Sequence, residues 1–419
     1  MSKFIFECID CKKHYIPSDV EYLCAECEKL NKPMQPLRGM LRCIYDYGNI
    51  SKNFSRVEIV TSEKKNFSRY LDILPIDSPD SIPPLVTGPT PLRRAMKLEH
   101  DFGVDEIWIK DDTVLPTGSF KDRASSMVVA IAAEKGIETI ATASTGNAAT
   151  ALAGMAASAE LSSVIFVPES APKAKLTQIA VYGGRLVPIK GNYDQAFELS
   201  TEACREYGWY NRNTAYNPFT IEGKKTAALE IWEQMEFSAP DWVVVPTGDG
   251  VILAGIEKGF SDLHRMGLVE KMPKLAVIQA EGCQPIVKSF LSGNPEIEPE
   301  LTPRTIADSI SVGVPRAGRW VMQALSSCGG TCLAVSDEEI ISAIAYLGSS
   351  MGVFAEPAAA TAVAGLKKMI ESGSISGGER VAVLVTGNGL KDVPAASQSV
   401  EFPHSISPDL KLLRKIISR

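Results

Sequence analysis

Short apolar or β-branched runs alternate with longer amphipathic or alanine-rich stretches from about residue 104 onward. The short runs predict buried strands at residues 106–110, 139–142, 164–167, 243–245 and 381–385. The longer stretches predict helices over residues 119–135, 147–160, 193–207, 222–235 and 337–347. Alternation of strands with helices is typical of parallel sheets covered on both faces, so we expect an α/β fold.

The first 46 residues have a different character, because they are rich in cysteine and only weakly periodic. Cys8 and Cys11 form one C-x2-C pair, and Cys24 and Cys27 form a second pair after a spacer of twelve residues. Two such pairs favour four thiolates around one structural zinc ion over reduced cysteines without a metal. We therefore predict a small zinc-ribbon-like segment at the start of the chain.

Length and composition limit the classes of function. A chain of 419 residues is about three times the length typical of one domain, roughly 150 residues. Hydrophobic residues make up 45% and charged residues 22%, as in ordinary globular proteins, and a net charge of −7 offers no attraction for nucleic acid or an anionic membrane. The sequence shows neither a secretory leader nor a bilayer-spanning run, so we expect a cytoplasmic protein that acts on small molecules.

Four loops follow predicted strands, and such loops carry the ligand sites of open α/β sheets. Lys121 lies at the start of a helix, where the helix dipole lowers the pKa of an amine and suits a nucleophilic lysine. A solvated surface lysine is the alternative for this residue taken alone.

Ser144, Thr145 and Asn147 stand at the start of the next helix, where free backbone amides are either simply capped or bind an anion such as a carboxylate.

The other two loops combine glycine with polar residues. Gly248, Asp249, Gly250 and Val251 follow an all-valine strand, and their backbone amides form either a phosphate cradle or an ordinary tight turn. Thr386 places a hydroxyl at the end of the last predicted strand or belongs to a turn. The glycine loop lacks the dinucleotide fingerprint, which disfavours a nucleotide-dependent dehydrogenase. The four histidines form no metalloprotease motif and no triad pattern, so we expect a cofactor to supply the chemistry.

These loops, in this order, resemble those of pyridoxal-phosphate enzymes of fold type II, and most closely those of the threonine synthase family. The matching segments are GPT at 88–90, GSFKDR at 118–123, STGN at 144–147, NP at 217–218, EGKKT at 222–226, FAEPA at 354–358 and TGNGLKD at 386–392. The resemblance implies a tryptophan synthase β-like α/β fold with two parallel-sheet domains behind the ribbon.

The resemblance also implies how the chain is divided. Residues 1–46 form the zinc-ribbon-like segment, residues 47–125 and 222–419 form the larger, cofactor-binding domain, and residues 126–221 form a smaller domain inserted within it. The cofactor would lie in the cleft between the two sheet domains. Residues 47–95 are rich in turn-forming proline and predict an extended arm. A homodimer is expected from the family alone.

Each loop receives a role from the resemblance. Lys121 would bind the aldehyde of pyridoxal 5′-phosphate covalently and later remove the substrate's α-proton as a general base. Asn147 would hydrogen-bond the cofactor's 3-oxygen, and Thr386 would face its pyridine nitrogen. The backbone amides of residues 248–251 would hold the cofactor's phosphate, and residues 144–145 would receive the substrate's α-carboxylate at a helix N-terminus.

Two positions depart from the family pattern. Thr220 stands where an arginine that contacts the substrate's phosphate is expected, and the loss of a permanently charged, bidentate ligand is not a conservative change. The candidates to replace that charge are Lys173, Lys175, Lys224 and Arg316. Asp249 stands where asparagine is commoner, and an acid there would repel phosphate unless its side chain turns away.

The reaction of the family converts O-phosphohomoserine and water to threonine and phosphate, and we expect this reaction here. A β-replacing paralogue such as cysteate synthase, which uses O-phosphoserine and sulfite, is the first alternative because it also begins with a cysteine-bearing segment. A non-catalytic, ligand-sensing paralogue is the second alternative. The presence of Lys121, Asn147 and Thr386 together argues against it.

Overall fold

Three β-sheets organise the chain in a computed structural model that describes residues 2–52, 54–64, 66–171, 173–191 and 193–417. The strands of the described residues are β1 Phe4–Cys8, β2 His14–Tyr15, β3 Leu41–Tyr45, β4 Leu92–Arg94, β5 Glu106–Asp111, β6 Thr139–Ala143, β7 Ser162–Pro168, β8 Arg185–Ile189, β9 Tyr210–Asn211, β10 Trp242–Pro246, β11 Lys274–Ala280, β12 Thr331–Val335 and β13 Arg380–Val385.

The α-helices of the same residues are α1 Tyr47–Ile50, α2 Arg56–Thr61, α3 Met96–Phe102, α4 Lys121–Glu134, α5 Asn147–Ser158, α6 Lys173–Val181, α7 Tyr193–Tyr207, α8 Phe219–Lys224, α9 Thr226–Gln234, α10 Val251–Arg265, α11 Pro285–Ser292, α12 Gly318–Cys328, α13 Asp337–Met351, α14 Pro357–Glu371, α15 Val393–Ala396 and α16 Leu410–Ile417. In this described part of the chain, no helix is both long and apolar enough to cross a lipid bilayer.

The two larger sheets are built mainly from parallel strands. One has six strands in the order β12-β11-β10-β13-β5-β4, in which β4 runs antiparallel to β5. The other has four parallel strands in the order β8-β7-β6-β9. Its strands lie between residues 139 and 211, inside the interval that the sequence assigns to the smaller domain, whose limits stay a prediction. The α/β architecture with parallel sheets is confirmed.

Most predicted elements are present with slightly shifted ends. The helix predicted over residues 222–235 is instead two consecutive helices, α8 and α9, which meet at Lys225. The arm predicted as extended over residues 47–95 contains α1, α2 and two 3₁₀ segments, Phe67–Ile73 and Pro79–Ser81. The apolar pattern does not reveal α1 and α2, because four and six residues are too few to establish a helical period.

The N-terminal sheet is antiparallel, with the strand order β2-β1-β3. Burial alternates along β1 and β3, so that one face of each strand points into the protein, as the two-residue period of a strand requires. Phe4 and Phe6 on that face pack against Phe219, with ring centroids 5.9 and 5.7 Å apart. An aromatic contact therefore joins the ribbon to the main body.

The last strand of the ribbon also enters a buried cluster of charges. The hydroxyl of Tyr45 donates to Glu222 at 2.7 Å, and the ring of Tyr45 lies 4.4 Å from the ammonium of Lys225. Lys225 in turn pairs with Glu222 at 2.5 Å and with Asp262 at 2.8 Å. Each of these side chains is almost fully buried, and the hydroxyl of Tyr45 provides Glu222 with one of its hydrogen bonds.

A second buried network of charges holds α4 in place. Arg123, in the first turn of α4, donates from Nε to Asp112 at 2.7 Å and from its terminal nitrogens to Glu230 at 2.5 and 2.8 Å. Lys110 of β5 lies 2.7 Å from the same Glu230 carboxylate. Burial acts to raise the pKa of Glu230, but Arg123 and Lys110 outweigh it and hold the pKa at about 2. One ionised carboxylate therefore joins β5, α4 and α9.

The substitution Glu230→Gln should lower the free energy of unfolding by about 3–5 kcal/mol, because it removes the carboxylate that pairs with buried Lys110 and leaves Arg123 with Asp112 as its one carboxylate partner. We expect a lower urea midpoint at neutral pH, measured by circular dichroism. Glu371→Gln is the matched control, since its 3.8 Å ion pair with Lys367 joins side chains that are 63% and 60% exposed and should matter little. Equal midpoints for Glu230→Gln and the unmodified protein would show that the network does not stabilise the fold.

Candidate active site

A cavity of about 440 Å³ lies where loops from the two parallel sheets meet. The carboxyl ends of strands, and the loops and helix starts that follow them, contribute Lys121, residues 142–148, Arg212, Thr214 and Asp249 to its wall. Parts of residues 300–316, together with Met34 of the ribbon, complete the wall. Residues from both sheets and from the ribbon thus meet at the carboxyl ends of the strands, where ligands of α/β sheets bind.

Lys121 is the first residue of α4, and it lines both this cavity and a smaller adjoining one of about 40 Å³. Burial lowers the pKa of Lys121, Asp249 and Glu356 raise it, and Arg212 lowers it further. The net result is a pKa below the ordinary lysine value of 10.5. The neutral, nucleophilic form of this amine is therefore available at lower pH than that of a surface lysine.

The loop before Lys121 is fastened to the end of β13. The amide of Phe120 donates to the carbonyl of Thr386 at 2.8 Å, and the amide of Asn388 donates to the carbonyl of Gly118 at 3.0 Å. Thr386 itself is buried and is not among the residues that line either cavity. The structure therefore places Thr386 beside the lysine loop, while the role of its hydroxyl stays a prediction.

Asn147 is paired with a carboxylate to which sequence analysis assigns no role. Its side-chain amide donates to both oxygens of Glu356, at 3.0 and 3.1 Å, and also lies 3.3 Å from the hydroxyl of Ser309. Burial raises the pKa of Glu356, although the hydrogen bond from Asn147 and the charge of Lys121 oppose this rise. The sequence shows the FAEPA segment at 354–358, to which Glu356 belongs. It does not show that Glu356 pairs with Asn147.

Ser144 and Thr145 line the cavity immediately before α5. The hydroxyl of Ser144 accepts the amide of Gly146 at 3.2 Å, and the backbone amide of Ser144 donates to the carbonyl of Phe166 in β7 at 3.2 Å. These bonds hold the turn against the sheet. In the described structure no side chain caps α5, so its first backbone amides can receive an anion such as a carboxylate.

The predicted phosphate turn lies at the smaller cavity, which Gly248, Asp249 and Gly250 line. A Cβ on Gly248 would lie 2.8 Å from the Cα of Ile310, which is too close for any side chain. Gly250 has a φ of +87°, which L side chains rarely adopt. Both positions therefore require glycine. Val251 begins α10 and does not itself line the cavity.

The acid in this turn is balanced by a buried lysine. One oxygen of Asp249 accepts the amide of Val251 at 3.0 Å. Burial acts to raise the pKa of Asp249, but Lys224 and Lys121 lower it below its ordinary value. Burial in turn lowers the pKa of Lys224 well below its ordinary value, against the opposing charge of Asp249. Lys224 and Lys121 therefore favour the ionised form of Asp249, and Asp249 favours the ammonium forms of both lysines.

The structure does not bring Thr220 to the cavity. Thr220 lies fully buried within α8, where its hydroxyl donates to the carbonyl of Asn217 at 2.7 Å. It is not among the residues that line the cavity, because the hydrogen bond keeps its side chain against its own helix. The side chains of Lys173 and Lys175, two of the candidate replacements for the missing arginine, lie outside the described residues.

Two arginines line the cavity, Arg212 and Arg316. Arg212 is fully buried, and its Nε donates to the hydroxyl of Ser125 in α4 at 3.2 Å. The guanidinium of Arg316 lies 4.6 Å from the ring centroid of Phe197. Sequence analysis names Arg316 as a candidate but misses Arg212. The strand before Arg212, β9, has only two residues and gives no periodic signal, although its carboxyl end is where a ligand residue is expected.

The four N-terminal cysteines form a compact cluster in the ribbon. The sulfur atoms of Cys8, Cys11, Cys24 and Cys27 all lie within 4.8 Å of one another. The sulfurs of Cys8 and Cys27 are 3.8 Å apart, and those of Cys11 and Cys24 are 3.6 Å apart. Tetrahedral zinc with Zn–S bonds of about 2.3 Å requires sulfurs about 3.8 Å apart. The cluster can therefore hold one metal ion, and four protein ligands leave no open position for catalysis.

Comparison with known proteins identifies relatives over almost the whole chain. The profile of a family described as pyridoxal-phosphate dependent enzyme matches residues 84–387. The chain is 38% identical to the threonine synthase of Methanocaldococcus jannaschii over 411 residues, which cover 98% of each protein. It is 35% identical to the threonine synthase of Methanosarcina acetivorans over 413 residues, again covering 98% of each protein.

Solved structures show the same architecture at lower identity. The processed form of threonine deaminase isoform 2 from Solanum lycopersicum matches with a TM-score of 0.62 and 21% identity, covering 78% of this chain and 82% of that one. Maize serine racemase matches with a TM-score of 0.62 and 20% identity, covering 78% of this chain and 91% of that one. At this level of identity the likeness shows a shared fold.

The charges around Lys121 should set the pH at which its amine reacts. In protein freed of any cofactor, 1-fluoro-2,4-dinitrobenzene should label Lys121 with a midpoint below 10.5. Asp249→Asn should lower this midpoint further, because it removes a negative charge that favours the ammonium form. Arg212→Met should raise it, because it removes a positive charge. Peptide mapping of the labelled protein across a pH series measures each midpoint.

Lys97, whose side chain is 59% exposed, serves as the internal control and should be labelled with the same midpoint in all three proteins. If the Lys121 midpoints of the two variants did not move in opposite directions, the electrostatic description of the site would be incorrect.

Proposed function

This chain belongs to the pyridoxal-phosphate dependent enzymes and, among them, to the threonine synthase family, and we propose that it converts O-phosphohomoserine and water to threonine and phosphate. Family membership makes the chain a pyridoxal-phosphate-dependent lyase. The choice of substrate is the further step of the proposal. One observation carries it: Arg212 and Arg316 line the cavity that also contains Lys121 and the N-terminus of α5.

The residues at the two cavities fit pyridoxal phosphate. Lys121 offers an amine of lowered pKa to its aldehyde, and Asn147 offers a side-chain amide to its 3-oxygen. Residues 248–251 form a glycine turn at the N-terminus of α10, which suits a phosphate group. Thr386, which lies beside the lysine loop and lines neither cavity, would face the ring nitrogen with a neutral hydroxyl. When bound, the cofactor supplies a conjugated ring that takes up the electron pair left when the substrate loses its α-proton.

The cavity offers separate sites for the two anionic ends of the substrate. The free amides of α5, together with Ser144 and Thr145, would hold the α-carboxylate. Arg212 and Arg316 would hold the phosphate, since guanidinium groups bind phosphate oxygens through paired hydrogen bonds. A substrate held at both ends is oriented with its reacting carbons near Lys121, which lowers the entropic cost of reaction.

Lys121 would move the proton at the reacting carbons. Its lowered pKa provides a neutral amine that can accept the α-proton once the substrate is bound. The nearby Arg212 favours this neutral form, whereas Asp249 and Glu356 limit how far the pKa falls and so preserve basicity. The site thus balances the availability of the free amine against its strength as a base.

Glu356 would act beside the cofactor rather than on the substrate's phosphate. Asn147 must exchange its bonds to Glu356 for a bond to the cofactor. Burial raises the pKa of Glu356 above its ordinary value, against the opposing effects of Asn147 and Lys121.

The remaining predictions concern the assembled protein. A homodimer is expected from the family resemblance, a cytoplasmic location stays an expectation from the sequence, and the metal in the ribbon would be a structural zinc ion. Gel filtration with light scattering and elemental analysis test the first and third of these.

The loaded enzyme should release inorganic phosphate from O-phosphohomoserine and form threonine, with little release from O-phosphoserine. A phosphate assay with amino-acid analysis of the products measures both reactions. Lys121→Ala is the control for chemistry at the site, and it should retain the cofactor poorly and lose turnover. Release from O-phosphoserine alone, stimulated by sulfite, would assign the chain to a β-replacing paralogue instead.

Arg212→Met should raise KM for O-phosphohomoserine about 10- to 100-fold, because hydrogen bonds to charged groups contribute about 1.5–3 kcal/mol each. Arg212→Lys should restore part of the loss, since it returns the charge without the bidentate geometry. Arg205→Met is the matched control, because Arg205 is 68% exposed and lies on α7 away from the cavity lining. Steady-state kinetics provide the comparison, and an unchanged KM for Arg212→Met would remove this residue from the substrate site.

A further inference from the structure

The ribbon is built against the part of the cavity wall that carries Arg316. The amide of Leu37 donates to the carbonyl of Arg316 at 2.9 Å. Pro36 packs beside Gly318, where an added Cβ would lie 3.5 Å from the proline ring. Met34 lines the cavity itself. The segment that follows the second cysteine pair therefore runs along the loop leading into α12.

Asp10, which lies between the first two cysteine ligands, binds both the ribbon and α12. One of its oxygens accepts the amide of Gly39 at 2.7 Å, and the other accepts Nε of Arg319, in the first turn of α12, at 2.8 Å. Glu296 adds a second link, because its carboxylate lies 3.0 Å from Arg38 and 3.4 Å from Arg319. The conformation of the metal-binding loop and the position of Arg319 are thus coupled.

The other side of the same segment contacts the cofactor turn and the smaller sheet. The amide of Ala317 donates to the carbonyl of Asp249 at 2.8 Å. The guanidinium of Arg316 reaches Phe197 of α7. Residues 311–319 therefore lie between the ribbon on one side and the cofactor turn and substrate cavity on the other.

We propose that the metal-bound ribbon positions the substrate site: through Leu37 and Asp10 it fixes residues 311–319 and so holds Arg316 at the cavity. Coordination of the metal by four thiolates orders the loop that carries Asp10. Removal of the metal disorders this loop and so releases Asp10 from Arg319. Lys121 lies outside this segment, and the glycine turn at 248–251 is linked to it by the backbone hydrogen bond from Ala317 to Asp249. Loss of the metal therefore weakens substrate binding more than cofactor binding. The effect on substrate rests on the proposed function, whereas the coupling between metal and segment does not.

Hydrogen–deuterium exchange tests the coupling without any substrate. The holoenzyme is compared before and after zinc is removed with a strong chelator, with zinc measured by elemental analysis and bound cofactor by its visible absorption. We expect exchange in residues 311–319 to rise about tenfold while β13 is unchanged. Equal protection of residues 311–319 before and after removal of the metal would overturn the proposal. Isolation of a protein that contains no zinc but shows the same protection would also overturn it.

Variants separate the contact from the metal. Arg319→Met removes the partner of Asp10 and leaves the four cysteines intact, so it should raise exchange in residues 311–319 with zinc and cofactor both retained. Arg319→Lys should restore most of the protection. Lys13→Met is the matched control, because the ion pair of Lys13 with Glu26 lies within the ribbon. Equal exchange in Arg319→Met and Lys13→Met would overturn the proposal even if the chelated protein behaved as expected.

Substrate binding provides the second readout. Calorimetry with 2-amino-5-phosphonopentanoate, in which a methylene replaces the ester oxygen of O-phosphohomoserine, should show an affinity about tenfold lower for Arg319→Met than for Lys13→Met. Equal affinities would overturn the effect on the substrate site. If the unmodified holoenzyme did not bind this compound, the proposed substrate would be wrong, and exchange in residues 311–319 would still decide the coupling.

Discussion

The buried ion pairs of Arg123 fix the position of Lys121. A buried guanidinium is stable only where carboxylates pair with it. Asp112, directly after β5, and Glu230, on α9, form these ion pairs with Arg123. Lys121 stands two residues earlier on the same helix. Moving α4 by one residue would displace the lysine by about 1.5 Å and rotate it about the helix axis, and would also break these ion pairs. The network thus specifies the register of the helix that carries Lys121.

A second level of charge balance surrounds the amine. The cavity is lined by the positive groups Arg212 and Arg316, which suit anionic ligands. The negative charge of Asp249 raises the pKa of Lys121 and so opposes the lowering effect of the nearby positive charge. Asp249 would be unfavourable for a phosphate if it stood alone. In the folded protein it interacts with the opposite charges of nearby lysines. Burial makes each of these charges sensitive to the others.

The sequence predicts the body of this fold well because long strands and helices repeat their patterns several times. It fails for β9, which has two residues, and for the break at Lys225, which interrupts a continuous helical pattern. In the site, residues of the segments that connect strands to the next helix could be located, including Lys121. The pairing of Asn147 with Glu356 could not, because the two residues are 209 positions apart and meet only when the sheets assemble.

The contact between Tyr45 and Glu222 has a consequence for synthesis of the chain. The two residues are separated by 177 positions. At about 5–20 residues per second, roughly 10 to 35 s pass on the ribosome between their appearances. During that interval the ribbon exists without the aromatic and charged partners that later bury it. A metal ion held by the four cysteines would give the emerging segment an order of its own. Such an ion would stabilise the ribbon until the rest of the protein has been translated.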